Sequence, residues 1–133
     1  MTRQGVLIAD GNRRLADLMG QLLADEPGFH VVGIAHTAAD ALALAQQTAP
    51  DVVLASEQLG EVQGLELCAS LRAKLPDATL LVWSHDVDHT PARPQVVDGV
   101  LDRGMTFREL LKAIGRVRRI RLEPRERLTE LRL

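Results

Sequence analysis

Asp10, Ser56, Ser84 and Arg103 are the residues of this 133-residue chain best placed to do chemistry together, because each stands just after a short apolar run. Residues 6–9 lead into Asp10 and Gly11, and residues 52–55 lead into Ser56, Glu57 and Gln58. Residues 78–83 end in Ser84, and residues 99–101 are followed by Asp102 and Arg103. Short apolar runs closed by turn-forming residues read as buried strands. Strand ends are where open α/β sheets gather polar groups around a ligand.

The residue types limit what such a rim can do. Arg103 brings a permanent cation with a planar fork of donors, suited to a carboxylate or an oxyanion. An Asp10–Arg103 ion pair would fill the rim. An unpaired Arg103, with Ser56 and Ser84, would suit an anion or small ligand. Ser56 becomes a nucleophile only beside a base, an orienting acid and an oxyanion hole, and no nucleophile-elbow motif surrounds it, so a Ser56–His85 hydrolase is not expected. Glu57 is expected to face away from Ser56, since strand neighbours point to opposite faces. His85 and His89 sit together only on a helix, which Pro91 and Pro94 discourage. No catalytic role, metal or cofactor is expected.

The rim implies a scaffold. After Asp10, Leu15, Leu18, Met19, Leu22 and Leu23 recur at helical spacing and read as one inward stripe. Residues 30–35 read as a second strand, Thr37 can cap an alanine-rich helix to about Gln47, and a third helix begins near Gly64 with Leu67, Cys68, Leu71 and Leu75 inward. Residues 85–97, carrying both prolines, read as a loop with at most one helical turn. Thr106 and Glu109 have capping-box spacing ahead of Phe107, Leu110, Leu111, Ile114 and Val117. Short connections and right-handed crossovers fold this alternation into a flavodoxin-like three-layer α/β domain. Its five-stranded parallel sheet is expected in the order 2-1-3-4-5, with the fourth helix shortened or absent.

Bulk properties narrow the class. No apolar run approaches a membrane span and no signal-peptide pattern opens the chain, so a cytoplasmic protein without membrane contact is expected. The lone Cys68 reads as reduced core. Residues 1–115 hold nine Lys and Arg against fifteen Asp and Glu, or −6, and residues 116–133 hold seven against three, or +4. The body therefore lacks the positive field that phosphate contacts need. The Arg116, Arg118, Arg119, Arg121 cluster reads as a solvated helix end.

The Val-Leu-Ile-Ala-Asp opening, Glu-Pro-Gly-Phe-His-Val-Val-Gly, Ala-Pro-Asp-Val-Val-Leu and Asp-Gly-Val-Leu before a basic residue resemble the receiver domain of bacterial two-component response regulators, particularly the LuxR-type helix-turn-helix subfamily. The resemblance implies an acidic pair, a phosphoaccepting aspartate, a serine or threonine, and a lysine at positions held here by Asp10 and Gly11, Ser56, Ser84 and Arg103. It also implies magnesium, for which Gly11 and Ser56 supply no carboxylate, and an aromatic switch residue at a position held by Val100. A degenerate, phosphorylation-independent pseudo-receiver is the expectation. Its alternative is a small-molecule or anion sensor.

Residues 1–119 are expected to form the receiver-like domain. Residues 120–133 form a linker and resemble the start of a truncated LuxR-type DNA-binding domain, so DNA would be met only through a C-terminal domain absent from this chain. A homodimer is expected, with Val96, Val97, Leu101 and Ile114 uncovered by the shortened fourth helix as its surface.

Overall fold

The computed structural model describes residues 3–89 and 96–118. In chain order the elements are β1 (Gln4–Ala9), α1 (Arg13–Ala24), β2 (Phe29–Ala35), α2 (Ala38–Thr48), β3 (Val52–Ser56), β4 (Gln58–Leu59), β5 (Val62–Gln63), α3 (Gly64–Lys74), β6 (Thr79–Ser84) and β7 (Gly99–Asp102). A last helix, α4, occupies 107–118. The main sheet is wholly parallel in the order β2-β1-β3-β6-β7. This is the expected flavodoxin-like order; only the numbering differs, because β4 and β5 form a small antiparallel hairpin of their own.

Side-chain alternation on the central strands builds two cores. Leu7, Ala9, Val53, Ala55, Leu80 and Val82 face α2 and α3, meeting Ala41, Ala45, Leu67, Cys68 and Leu71. Val6, Ile8, Val52, Leu54, Leu81 and Leu101 face α1 and α4, meeting Ala16, Leu23, Leu110 and Ile114. Burying each Leu, Ile or Val contributes roughly 1.5–3 kcal/mol, set against the entropy of ordering the chain.

Local signals fix the helix starts. The Asn12 side chain accepts from Leu15 N at 3.2 Å, and Thr37 Oγ1 accepts from Asp40 N at 3.1 Å. The Thr106–Glu109 capping box forms in both directions: Glu109 N donates to Thr106 Oγ1 at 3.2 Å and Thr106 N to Glu109 Oε1 at 3.4 Å. Gly64, at the head of α3, passes so close to β3 that an added Cβ would sit 2.1 Å from the Ser56 carbonyl oxygen.

Three of the four residues expected to form a dimer surface are core. Val97, Leu101 and Ile114 are 4%, 6% and 0% exposed, and Val96 is half-buried. Leu101 lies on the sheet face that α4 covers, and Ile114 is on the inward stripe of that helix. Val97 packs on the opposite face, in the core beneath α2 and α3, so all three are covered. The α1 stripe also divides: Ala16, Gly20 and Leu23 are buried, whereas Leu15, Leu18 and Leu22 are exposed.

Between β6 and β7 the described residues hold one 3-10 turn, Val87–His89. The rest of the proline-broken segment, residues 90–95, lies outside the described residues, as do residues 119–133 with the proposed linker, the LuxR-like start, Arg119 and Arg121. Arg118 is tied back to the body, donating to the Asp51 carbonyl and to Thr79 Oγ1, each at 3.1 Å.

Candidate functional site

Strand parity decides which rim residues meet. Ser56 is opposite Trp83 in the β3–β6 register, and Trp83 is opposite Leu101 in β6–β7. Counting by twos, Asp10 after Ile8, Ser56 after Leu54 and Arg103 after Leu101 all belong to the face covered by α1 and α4. Ser84, one residue past Trp83, belongs to the opposite face.

The side chains obey this division. Arg103 Nη2 lies 2.6 Å from Asp10 Oδ2, and Arg103 Nη1 donates to Ser56 Oγ at 2.9 Å. One guanidinium thus bridges the ends of β1 and β3 from the turn after β7. The ion pair is well shielded, with the Arg103 and Asp10 side chains 9% and 13% exposed. Ser56 is buried and also receives a long bond from Gln58 N at 3.4 Å. Asp10 has a second duty: Oδ1 accepts from Asn12 N at 2.9 Å, shaping the entry into α1. Gly11 is exposed in that turn.

Ser84 joins a second group. Its hydroxyl donates to Glu57 Oε2 at 2.5 Å and accepts from Asp86 N at 2.9 Å, while Glu57 Oε1 accepts from His85 N at 3.1 Å. The Ser84 hydroxyl, then the His85 N–H, hold the Glu57 carboxyl below its ordinary value. Glu57 is a residue the sequence reading set aside. It does turn from the Ser56 side, and parity, carried one residue further to Ser84, was the signal that the two would meet.

Two more residues were missed. Arg72 on α3 pairs with Asp98 at 2.8 Å and donates to the Ala78 carbonyl at 2.8 Å, the Val96 carbonyl at 3.2 Å and the Pro76 carbonyl at 3.2 Å. Asp98 Oδ2 also accepts from Leu80 N at 2.7 Å. This brace fixes the end of α3, the start of β6 and the approach to β7. Their ordinary loop and helix contexts gave no periodic signal.

A groove of about 70 Å³ opens beside Arg103, walled by Leu15, Leu18, Met19 and Leu22 of α1 and floored by Ile8, Leu54 and Trp83. Small-molecule sites commonly enclose about 300–1,000 Å³. The groove is thus a side-chain-sized recess. Among the described residues no cluster of three or more His, Cys, Asp and Glu could hold a metal, and no helix is long and apolar enough to cross a membrane.

The family model of the response regulator receiver domain matches residues 6–114, which takes in both cores and every rim residue. The chain belongs to that family. This receiver domain is 31% identical over 115 residues to the response regulator GacA of Pseudomonas aeruginosa, covering 84% of this chain and 54% of that protein. It is 30% identical over 112 residues to the nitrate/nitrite response regulator protein NarL of Escherichia coli K12, covering 82% and 52%. The chain thus spans about half the length of these curated relatives. A LuxR-family DNA-binding response regulator from Staphylococcus aureus superposes with a TM-score of 0.76 at 22% identity, covering 86% of this chain and 98% of that one. The chemotaxis response regulator CheY4 of Vibrio cholerae gives 0.75 at 23%, covering 87% and 99%. At these identities the superpositions speak for the fold.

The magnesium that the family resemblance implies does not fit the groups gathered here. Such an ion needs an oxygen shell rich in carboxylate. Gly11 has no side chain to offer, Ser56 offers a hydroxyl, and the Asp10 carboxylate is held by a guanidinium whose charge repels a second cation.

Proposed function

We propose that this receiver domain works without phosphorylation, as a regulatory and dimerising module of a DNA-binding transcription regulator. The observation that carries the reading is the Arg103 bridge to Asp10 and Ser56. Phosphorylation-driven receivers need a carboxylate acceptor and a metal that gathers charge during transfer. Ser56 is a hydroxyl hydrogen-bonded to a cation, and among the described residues no carboxylate or imidazole is hydrogen-bonded to it, so neither phosphoryl acceptance nor hydrolysis is expected of it. The guanidinium itself joins the strand ends that a metal would otherwise link. The fold is thereby held in one state, and the module is not an enzyme.

DNA binding is assigned to a segment beyond the receiver body, in keeping with relatives named as DNA-binding or transcriptional regulators and with the acidic charge of residues 1–115. The anion-sensor alternative is disfavoured by the same ion pair, since Arg103 already has a carboxylate partner.

Magnesium titration followed by Trp83 fluorescence tests the reading. Trp83 is the only tryptophan and pairs with Ser56 in the sheet, so a bound cation should perturb it. No saturable change is expected into the tens of millimolar; saturation at low millimolar magnesium would count against the reading.

A further inference from the structure

The leucines on the outer face of α1 form the most conspicuous apolar surface among the described residues. Leu15, Leu18 and Leu22 are 42%, 52% and 38% exposed. At 100° per residue they fall within about 60° of one another around the helix axis, forming one ridge. The same leucines wall the groove beside them, so ridge and recess are adjacent on one face. A two-fold contact needs a surface that is complementary to itself.

Charge on α1 points the same way. Arg13 and Arg14 occupy its first turn, no acidic residue is there, and no basic residue lies in its last turn, which ends at the Asp25 cap. Both ends therefore oppose the helix dipole, which favours acids at the start and bases at the end. Arg14 and Asp25 are exposed. Eleven residues apart, they lie about 20° from each other around the axis, on one flank of the leucine ridge. A two-fold axis perpendicular to α1, level with the midpoint of residues 19 and 20 and one turn or less from Leu18 and Leu22, runs the partner helix antiparallel and keeps that flank on the same side. Arg14 of one copy then comes level with Asp25 of the other, at both ends of the contact, and these two misplaced charges gain partners.

We infer that the α1 face, with Leu15, Leu18 and Leu22 at its centre and Arg14 opposite the second copy's Asp25, is the surface through which two copies of this chain associate. The inference rests on the dimerisation part of the proposed function and gives it a location. The groove beside the ridge receives leucine side chains of the second copy, which suits its small volume.

Sedimentation equilibrium on the full 133-residue chain tests it. The wild type should show a concentration-dependent dimer, and Leu18→Glu should raise the dissociation constant by at least about tenfold. Arg14→Glu and Asp25→Arg should each weaken association roughly threefold or more. The Arg14→Glu, Asp25→Arg double variant should return to within about twofold of wild type. Circular dichroism verifies that each variant is folded, and the charge-swap set carries the test even if Leu18→Glu fails to fold. A wild type that stays monomeric at high micromolar concentration overturns the dimerisation reading and this surface with it. A wild-type dimer unaffected by Leu18→Glu and by the charge swaps overturns the α1 surface alone.

Discussion

Arg103 Nη2 sits 2.6 Å from the carboxylate of Asp10, ninety-three residues earlier in the chain, and the pair ties the turn after β7 to the end of β1. Both side chains are largely withdrawn from solvent, so losing either leaves the other poorly solvated and unpaired. Arg103→Ala should therefore cost about 2–3 kcal/mol, below the 3–5 of a fully buried pair because some exposure remains. Arg103→Lys should recover part of this, since an ammonium can meet Asp10 but cannot span to Ser56 with a rigid fork. Urea denaturation of the three proteins measures both effects.

Glu57 should give the domain an acid-sensitive contribution. Its native pKa lies below the ordinary 4.5 because the Ser84 hydroxyl and the His85 N–H favour the carboxylate. A depressed native pKa adds stability that is present above the unfolded pKa and is lost as pH falls through the native one. Stability should thus decline as pH drops below about 4.5, and Glu57→Gln should flatten that part of the profile. Thermal unfolding at a series of acidic pH values compares the two, and parallel profiles would argue against the assignment.

Gly64→Ala should be among the most damaging single-methyl additions in the chain. The new Cβ meets the Ser56 backbone carbonyl at 2.1 Å, an atom that cannot swing aside as a side chain can. Overpacking of this kind typically costs 1–3 kcal/mol, and a backbone collision belongs at or above about 3. Urea midpoints report the loss, and a shift under about 0.5 kcal/mol would mean that α3 moves freely relative to β3.

Asp98→Asn should be markedly destabilising although it lies far from the rim. It weakens the Arg72 pair and the bond from Leu80 N together, and about 2 kcal/mol is expected. Chemical denaturation checks this, and near-neutrality would show that the brace is incidental.

Burial pushes the Cys68 thiol up to about 12, so almost no thiolate exists at neutral pH. Iodoacetamide should label the native protein only as fast as it opens, and much faster in urea. Prompt labelling of the native state would contradict the buried placement.

Much of the sheet was readable because parallel strands buried on both faces are short continuous apolar runs, as residues 6–9 and 52–55 are. The Thr37 cap and the Thr106–Glu109 capping box were legible because each is a pattern within four consecutive residues. The rim was legible only by position: spacing put Asp10, Ser56, Ser84 and Arg103 at one end of the sheet, but which side chains meet depends on strand register, and that separates Ser84 from Ser56. Helical spacing also grouped Leu15, Leu18 and Leu22 with Leu23. Ala16 and Gly20 form the close-packed side instead, because Ile34 stands within 4 Å of where a Gly20 Cβ would be and leaves no room for a larger residue. Val97, Leu101 and Ile114 were placed on a surface because a short segment suggested uncovered strands, whereas Val97 packs into the core on the α2 and α3 side and Leu101 and Ile114 into the core on the α1 and α4 side.

The central claim is that the Arg103 bridge replaces phosphorylation, and intact-mass spectrometry after incubation with acetyl phosphate and magnesium tests it most directly. The account predicts an unchanged mass for the wild-type chain, with Ser56 unmodified. A stoichiometric gain of one phosphoryl group, mapped to the rim at the ends of β1 and β3, would contradict it.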